Sequence, residues 1–185
     1  MPAATRGPTR TELLAAADRT VEDVIAPGLK VLFCGINPGL YTAWSGHHFA
    51  GPGNRFWPAI HAAGFTDRRL APSEERLLLD YGYGVTNVVP RTTATAAELS
   101  AADMEAGGRQ LVENVLQFRP RYLAILGIGA YRSAFHHPRA RIGPQEEAIG
   151  GTRVWALPNP SGLNANYSLA ALTELLRELR IAAES

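Results

Sequence analysis

The chain has 185 residues, 46% of them hydrophobic, with a formal net charge of +1. That length supports one domain with a real core, while the near-neutral balance carries none of the strong basic signature by which composition alone would announce a nucleic-acid partner. The one cysteine, Cys34, excludes a disulfide framework and any cysteine-rich metal site, and no apolar run reaches the ~20 residues that span a bilayer. The first twenty residues also lack the apolar core of a secretory signal, so the expectation is an intracellular protein without a membrane partner.

Residues 1–19, rich in Ala, Thr, Arg and Pro, read as a loosely held tail with at most one short helix, ahead of a single domain over 20–185. Thr20 is placed to cap a short helix through Val21, Val24 and Ile25, which Pro27 and Gly28 end. A first strand follows at 30–35, with Cys34 inside it as a buried, inert thiol. The strand breaks into Ile36-Asn37-Pro38-Gly39, residues that let a backbone turn sharply and approach a ligand closely. From Ile36 to Gly53 there is no convincing period, and so long a loop is usually functional. Asn54 then caps a helix to about Ala63, with Phe56, Trp57 and Ile60 turned inward and Pro58 in its first turn.

Ser73 caps a helix through Leu77 to Tyr81, and Val85–Val89 is a short β-branched strand leading into Pro90-Arg91-Thr92-Thr93. Ser100 and Asp103 form a capping box for a helix through Leu116, oddly interrupted by Gly107-Gly108. Tyr122–Gly127 is a third strand, apolar throughout as parallel strands covered on both faces tend to be. A helix over 130–135, an irregular stretch to Gly151, a fourth strand at 153–157 and a helix over 168–179 complete the chain. Alternating strands and helices imply a parallel sheet with helices on both faces and right-handed crossovers. The fourth strand runs into Pro158-Asn159-Pro160-Ser161-Gly162-Leu163-Asn164, repeating the Asn-Pro design of the first. In one parallel sheet both loops open at the edge where α/β folds bind ligands, and they could clamp one ligand.

Most familiar catalytic engines are missing: no phosphate-cradling Gly-rich loop, no serine nucleophile elbow and no His/Cys/Asp cluster at zinc spacing. What remains at the inferred edge is neutral: Asn37, His48, Asn87, Thr92, Thr93, Asn159, Ser161 and Asn164. A carboxamide cannot be an ordinary general base, but it can hold a water in line for attack. Taken alone, Asn37 fits an ordinary turn before Pro38 as well. All basic residues except Lys30 are arginine, which suits bidentate phosphate recognition and equally fits coding bias. Arg132, Arg139 and Arg141 with His136 and His137 make the densest basic segment, readable as a phosphate contact or a solvated face.

Four motifs in order carry a resemblance: Gly35-Ile36-Asn37-Pro38-Gly39; the loop from Gly46-His47-His48-Phe49 through Gly51-Pro52-Gly53-Asn54 to Phe56-Trp57; Thr86-Asn87 with Arg91-Thr92-Thr93; and Asn159-Pro160-Ser161-Gly162-Leu163. From about Val21 to Leu179 the chain resembles the mismatch-specific uracil/thymine-DNA glycosylase family, most of all its bacterial branch. The resemblance implies a three-layer α/β/α fold with a mainly parallel sheet of four or five strands. It implies a monomer that acts on double-stranded DNA containing uracil or a mismatched pyrimidine, without metal or cofactor. The target nucleotide would be flipped into a pocket at the strand ends. By the same resemblance Asn37 holds the water that attacks C1′ of the deoxyribose, and Phe49 stacks on the base. The backbone near Ile36 and Phe49 binds its carbonyls, with Gly39 and Asn54 beside them. Leu163 is the wedge pushed into the vacated space, with Asn159, Ser161, Gly162 and Asn164 against the DNA.

The chain departs from the bacterial branch at His48, Asn87 and Thr93, which match the thymine-DNA glycosylase branch and imply a pocket open to other substituted pyrimidines. It departs again at Asn164–Tyr167, where that branch has a shorter stretch bearing an arginine, so strict preference for an opposing guanine is not implied. Two other readings stay open: the same chemistry on a different damaged base, and a non-catalytic reader of damaged or abasic DNA.

Overall fold

A computed structural model describes residues 6–185. Its first helix, α1 (Arg10–Ala15), is capped by Thr9, whose hydroxyl accepts from Glu12 N while the Glu12 carboxylate accepts from Thr9 N. The segment expected to hang loosely therefore has a stable turn, and Ala16 behind it is buried; residues 1–5 lie outside the described residues. The helix expected after Thr20 is not formed. Val24 instead makes an antiparallel bridge to Val85, with both backbone hydrogen bonds at 2.8–2.9 Å, because an edge strand offers partners that a two-turn helix with three β-branched residues cannot match.

Strand β1 (Val31–Gly35) is buried on both faces. Val31 and Phe33 point into one apolar cluster with Phe56, Ile60, Leu172 and Leu176, while Leu32 and Cys34 point into the other with Leu111, Val115 and Tyr131. Period-two alternation of an all-apolar strand thus supplies both cores at once. Helices α2 (Leu40–Ser45) and α3 (Phe56–Ala62) follow. The first lies within the stretch expected to be loop; its six residues are too few to show a period. A 3₁₀ segment (Pro72–Leu77) and the single turn α4 (Leu78–Tyr81) lead to β2 (Tyr83–Asn87), which begins two residues before the expected strand.

Helix α5 (Ala101–Phe118) carries the Ser100/Asp103 capping box. Its Gly107-Gly108 pair is a contact: a Cβ on Gly107 would lie 2.3 Å from the Val88 carbonyl oxygen, and one on Gly108 2.6 Å from that of Ala134. Strand β3 (Tyr122–Leu126), α6 (Ile128–Ala134), β4 (Gly143–Ile149), β5 (Thr152–Leu157) and α7 (Leu169–Glu184) complete the chain. The stretch expected to be irregular before Gly151 contains β4, a mostly exposed antiparallel edge strand whose Gln-Glu-Glu sequence hides its period.

The sheet order is β2-β1-β3-β5-β4, parallel except for β4, with helices on both faces. This is the expected mainly parallel α/β/α architecture with five strands. The chain leaves β1 toward β2 on one side and later crosses to β3 on the other, so a topological switch lies between β1 and β3. A crevice opens at the carboxyl ends of strands at such a point.

Candidate active site

At that switch point lies a cavity of about 210 Å³, lined by Gly35–Gly39 after β1, Leu126 at the end of β3, and Asn159 and Ser161 after β5. Ile36, Asn37, Gly39, His48, Phe49, Asn54, Asn87 and Thr93 all contribute to its wall. Gly162, Leu163 and Asn164 do not; they form the loop beside it, and Leu163 is 93% exposed. Residues from across the chain thus meet in one place. Both Asn-Pro loops open on it.

The carboxamide of Asn37 is fixed by what its neighbours can do. Its Nδ2 donates to the Arg91 carbonyl at 2.9 Å and to Thr93 Oγ1 at 2.8 Å. A carbonyl only accepts, so the atom facing Arg91 must be the NH₂ group. Thr93 Oγ1 in turn donates to the Thr95 carbonyl at 2.7 Å, leaving its lone pairs for Asn37. Both amide hydrogens are committed, and among the described residues Oδ1 accepts none. The arrangement leaves one oriented acceptor free at the cavity wall.

Arg91 is braced from behind. Its guanidinium lies 2.8 Å from Asp103 Oδ2, and the Asp103 carboxyl is held down to about 2, chiefly by the Ser100 N–H and then by Arg91. The cap of α5 thereby anchors the carbonyl that anchors Asn37.

On the opposite wall, Phe49 has a left-handed backbone, φ 53°, at a cost of order 1–3 kcal/mol for a residue with a side chain. The surrounding contacts hold it there. The preceding residue, His48, donates its N–H to buried Glu75 Oε2 at 2.7 Å and accepts from Trp57 Nε1 at its carbonyl at 3.0 Å. The Phe49 ring stacks on Phe56 at 4.2 Å between centroids. Gly35 lies under it: a Cβ there would fall 3.2 Å from the Phe49 ring and 2.6 Å from Asn87 Oδ1.

The buried His48 ring donates from Nε2 to the Glu22 carbonyl at 2.8 Å, and its Nδ1 lies 3.4 Å from Asn87 Nδ2. Asn87 Oδ1 lies beside Gly35, 2.6 Å from where a Cβ on that glycine would stand. Asp23 accepts from Thr86 Oγ1 at 2.8 Å; desolvation raises its carboxyl above the ordinary range against that hydrogen bond. Asn54 spends its Oδ1 on the Phe56 N–H, 2.9 Å away, at the start of α3.

Sequence reasoning missed Arg55. Its guanidinium donates to the carbonyls of Pro160, Ser161, Asn164 and Tyr167, with the Ser161 bond at 2.9 Å, so one planar cation pins the whole exposed loop. The loop is also tied internally: Asn159 Oδ1 accepts from Ser161 N at 2.9 Å, and Asn164 Nδ2 donates to the Asn159 carbonyl at 3.0 Å. A Cβ on Gly162 would lie 2.6 Å from the Gly53 carbonyl oxygen. Glu75 and the Glu22 carbonyl were missed as well, and nothing in the residue pattern around them announces a role. Among the described residues no three His, Cys, Asp or Glu side chains come together as a metal site.

A neutral pocket thus lies at the switch point of a small α/β/α sheet, with a pinned loop bearing an exposed leucine beside it. The chain belongs to the uracil DNA glycosylase superfamily, whose model matches residues 22–180. Among solved structures it is similar in fold to one described as a "putative Uracil DNA glycosylase from Methanosarcina acetivorans". The two share 18% identity over 88% of this chain and 98% of that one, with a TM-score of 0.58.

Proposed function

We propose that this protein is a monofunctional glycosylase that removes uracil, and related modified pyrimidines, from double-stranded DNA. The observation that supports this most is the locked Asn37 carboxamide, whose free Oδ1 suits the holding of one water. The target nucleotide enters the cavity with its base over Phe49, and the N-glycosidic bond loosens to give an oxocarbenium-like sugar. The water on Asn37 adds to C1′, its proton is lost to solvent, and the base departs as an anion stabilised by surrounding dipoles. The products are an abasic site and the free base.

Uracil is the main substrate in this reading, because the thymine methyl group donates electrons and makes a poorer leaving anion. Asn87 lines the cavity, and its carboxamide oxygen suits the N3–H of a keto pyrimidine. Leu163 at the tip of the Arg55-pinned loop fills the gap in the base stack, and Ser161, Gly162 and Asn164 lie along the DNA. Lys30, the one lysine, precedes β1 at the opposite end of the sheet from the cavity, so no lysine amine is at hand for a Schiff base.

The test is base release from matched oligonucleotides carrying uracil in single strand, opposite guanine and opposite adenine, with thymine opposite guanine alongside. Release of uracil by wild type and its loss in Asn37→Ala, with duplex binding retained, is the expected result. No release in any context would overturn the assignment. Binding without release would favour the reader of damaged or abasic DNA.

A further inference from the structure

The active-site cavity has a neighbour. A second cavity, of about 440 Å³, lies on the other side of the Phe49–Asn54 loop and shares Phe49, Gly51 and Asn54 with the first. Trp57, Pro58, Leu70 and Pro72 line it, Arg69 stands at it, and no acidic residue does. Arg69 is exposed and makes no ion pair among the described residues, whereas neighbouring Arg68 is held by Glu74 at 2.8 and 3.0 Å. The same Glu74 accepts from Ala71 N at 2.8 Å, so Arg69 projects from a fixed segment. The loop between the cavities carries no side chain at Gly51, which lines both.

We infer that this second cavity carries the phosphodiester backbone of the lesion strand next to the flipped nucleotide, with Arg69 on the adjoining phosphate. The inference rests on the glycosylase reading above. A nucleotide held in the first cavity stays joined to its neighbours on both sides, so its flanking phosphates must leave across the rim. Toward β5 the rim is closed by the loop that packs Gly162 onto Gly53. At Gly51 no side chain stands between the first cavity and the second, where Arg69 is unpaired among the described residues. An arginine fork matches two phosphate oxygens, and a fixed backbone beneath it reduces the ordering cost on binding.

The experiment uses a duplex with a tetrahydrofuran abasic analogue, so that affinity is read without base release. Arg69→Gln is expected to weaken binding about 3- to 10-fold and to flatten the slope of log K against log salt by about 1. Phosphates of the lesion strand, and then of the complementary strand, are replaced one at a time by neutral methylphosphonates. At one position beside the lesion the replacement should weaken wild type and leave Arg69→Gln unaffected. A wild-type salt slope in Arg69→Gln, or coupling confined to the complementary strand, would overturn the inference. Wild type that binds the abasic duplex but releases no base overturns the glycosylase reading, and the Arg69 salt slope still decides this one. Wild type that binds no duplex overturns both.

Discussion

Thr93→Val isolates the device that orients Asn37. The substitution keeps the shape of the side chain and removes one hydroxyl, which accepts from Asn37 Nδ2 at 2.8 Å and donates to the Thr95 carbonyl at 2.7 Å. The backbone bond from Thr93 N to the Pro38 carbonyl, at 3.2 Å, is untouched. Thr95 is exposed, so its carbonyl regains water; the freed Asn37 hydrogen does so less easily. The stability cost is then about 1–2 kcal/mol. For a chain of this size that lowers Tm by about 2–8 °C. The effect on rate is larger. Asn37 keeps only the Arg91 carbonyl as a strong partner and can swing about it, and a misplacement near 1 Å costs up to about 100-fold. Single-turnover uracil release should therefore fall about 10- to 100-fold, while Thr93→Ser stays near wild type because it keeps the hydroxyl. A Thr93→Val enzyme within about twofold of wild type, with Tm lowered as stated, would refute the orienting role.

Gly35→Ala would push a methyl against Asn87 Oδ1 and the Phe49 ring; we expect folded protein by circular dichroism with base release abolished, and unimpaired release would contradict the described packing. Arg55→Met leaves four carbonyls of the 160–167 loop without their cation; limited proteolysis should find new cleavage in that loop, and duplex affinity should drop. In acid, Asp103 and Glu74 both have folded values near 2, below their ordinary 3.8 and 4.5. Their contribution is complete above those ordinary values and is lost as pH falls through about 2. Acid unfolding followed by circular dichroism should be shallower between pH 4 and pH 2 for Asp103→Asn, and an unchanged curve would count against the Arg91–Asp103 brace. Burial raises the Cys34 thiol well above its ordinary range; iodoacetamide should label the denatured protein and leave the native one unmodified.

The residues that were legible in advance are those whose local chemistry restricts them. The all-apolar β1 and β3 could be only buried strands, and the two Asn-Pro loops after β1 and β5 had to turn at the same sheet edge. The order of motifs led to the pocket. What stayed hidden was held by distant partners. Arg55 reads as any surface arginine until its bonds to carbonyls 105 to 112 residues further along the chain, from Pro160 to Tyr167, are visible. Glu75 sits in a charged run that suggests solvent, yet it is buried under the backbone of His48. Val24 looked helical because a two-sided bridge to Val85 leaves no trace in a five-residue window. The Gly107-Gly108 pair appeared to weaken α5, when it is the reason α5 can lie against Val88 and Ala134.

The contacts made ahead of β1 carry a different kind of consequence. Thr92 donates to the Arg19 carbonyl at 2.7 Å, His48 to that of Glu22 at 2.8 Å, and Thr86 to Asp23 at 2.8 Å. His48 lines the cavity, and Thr86 and Thr92 adjoin Asn87 and Thr93, which do. A chain trimmed to its first strand would lose these ties together with the Val24–Val85 bridge, so its pocket would be misaligned and its stability lowered at once. Natural variation in this leader could alter which bases the pocket tolerates without touching a residue that lines it.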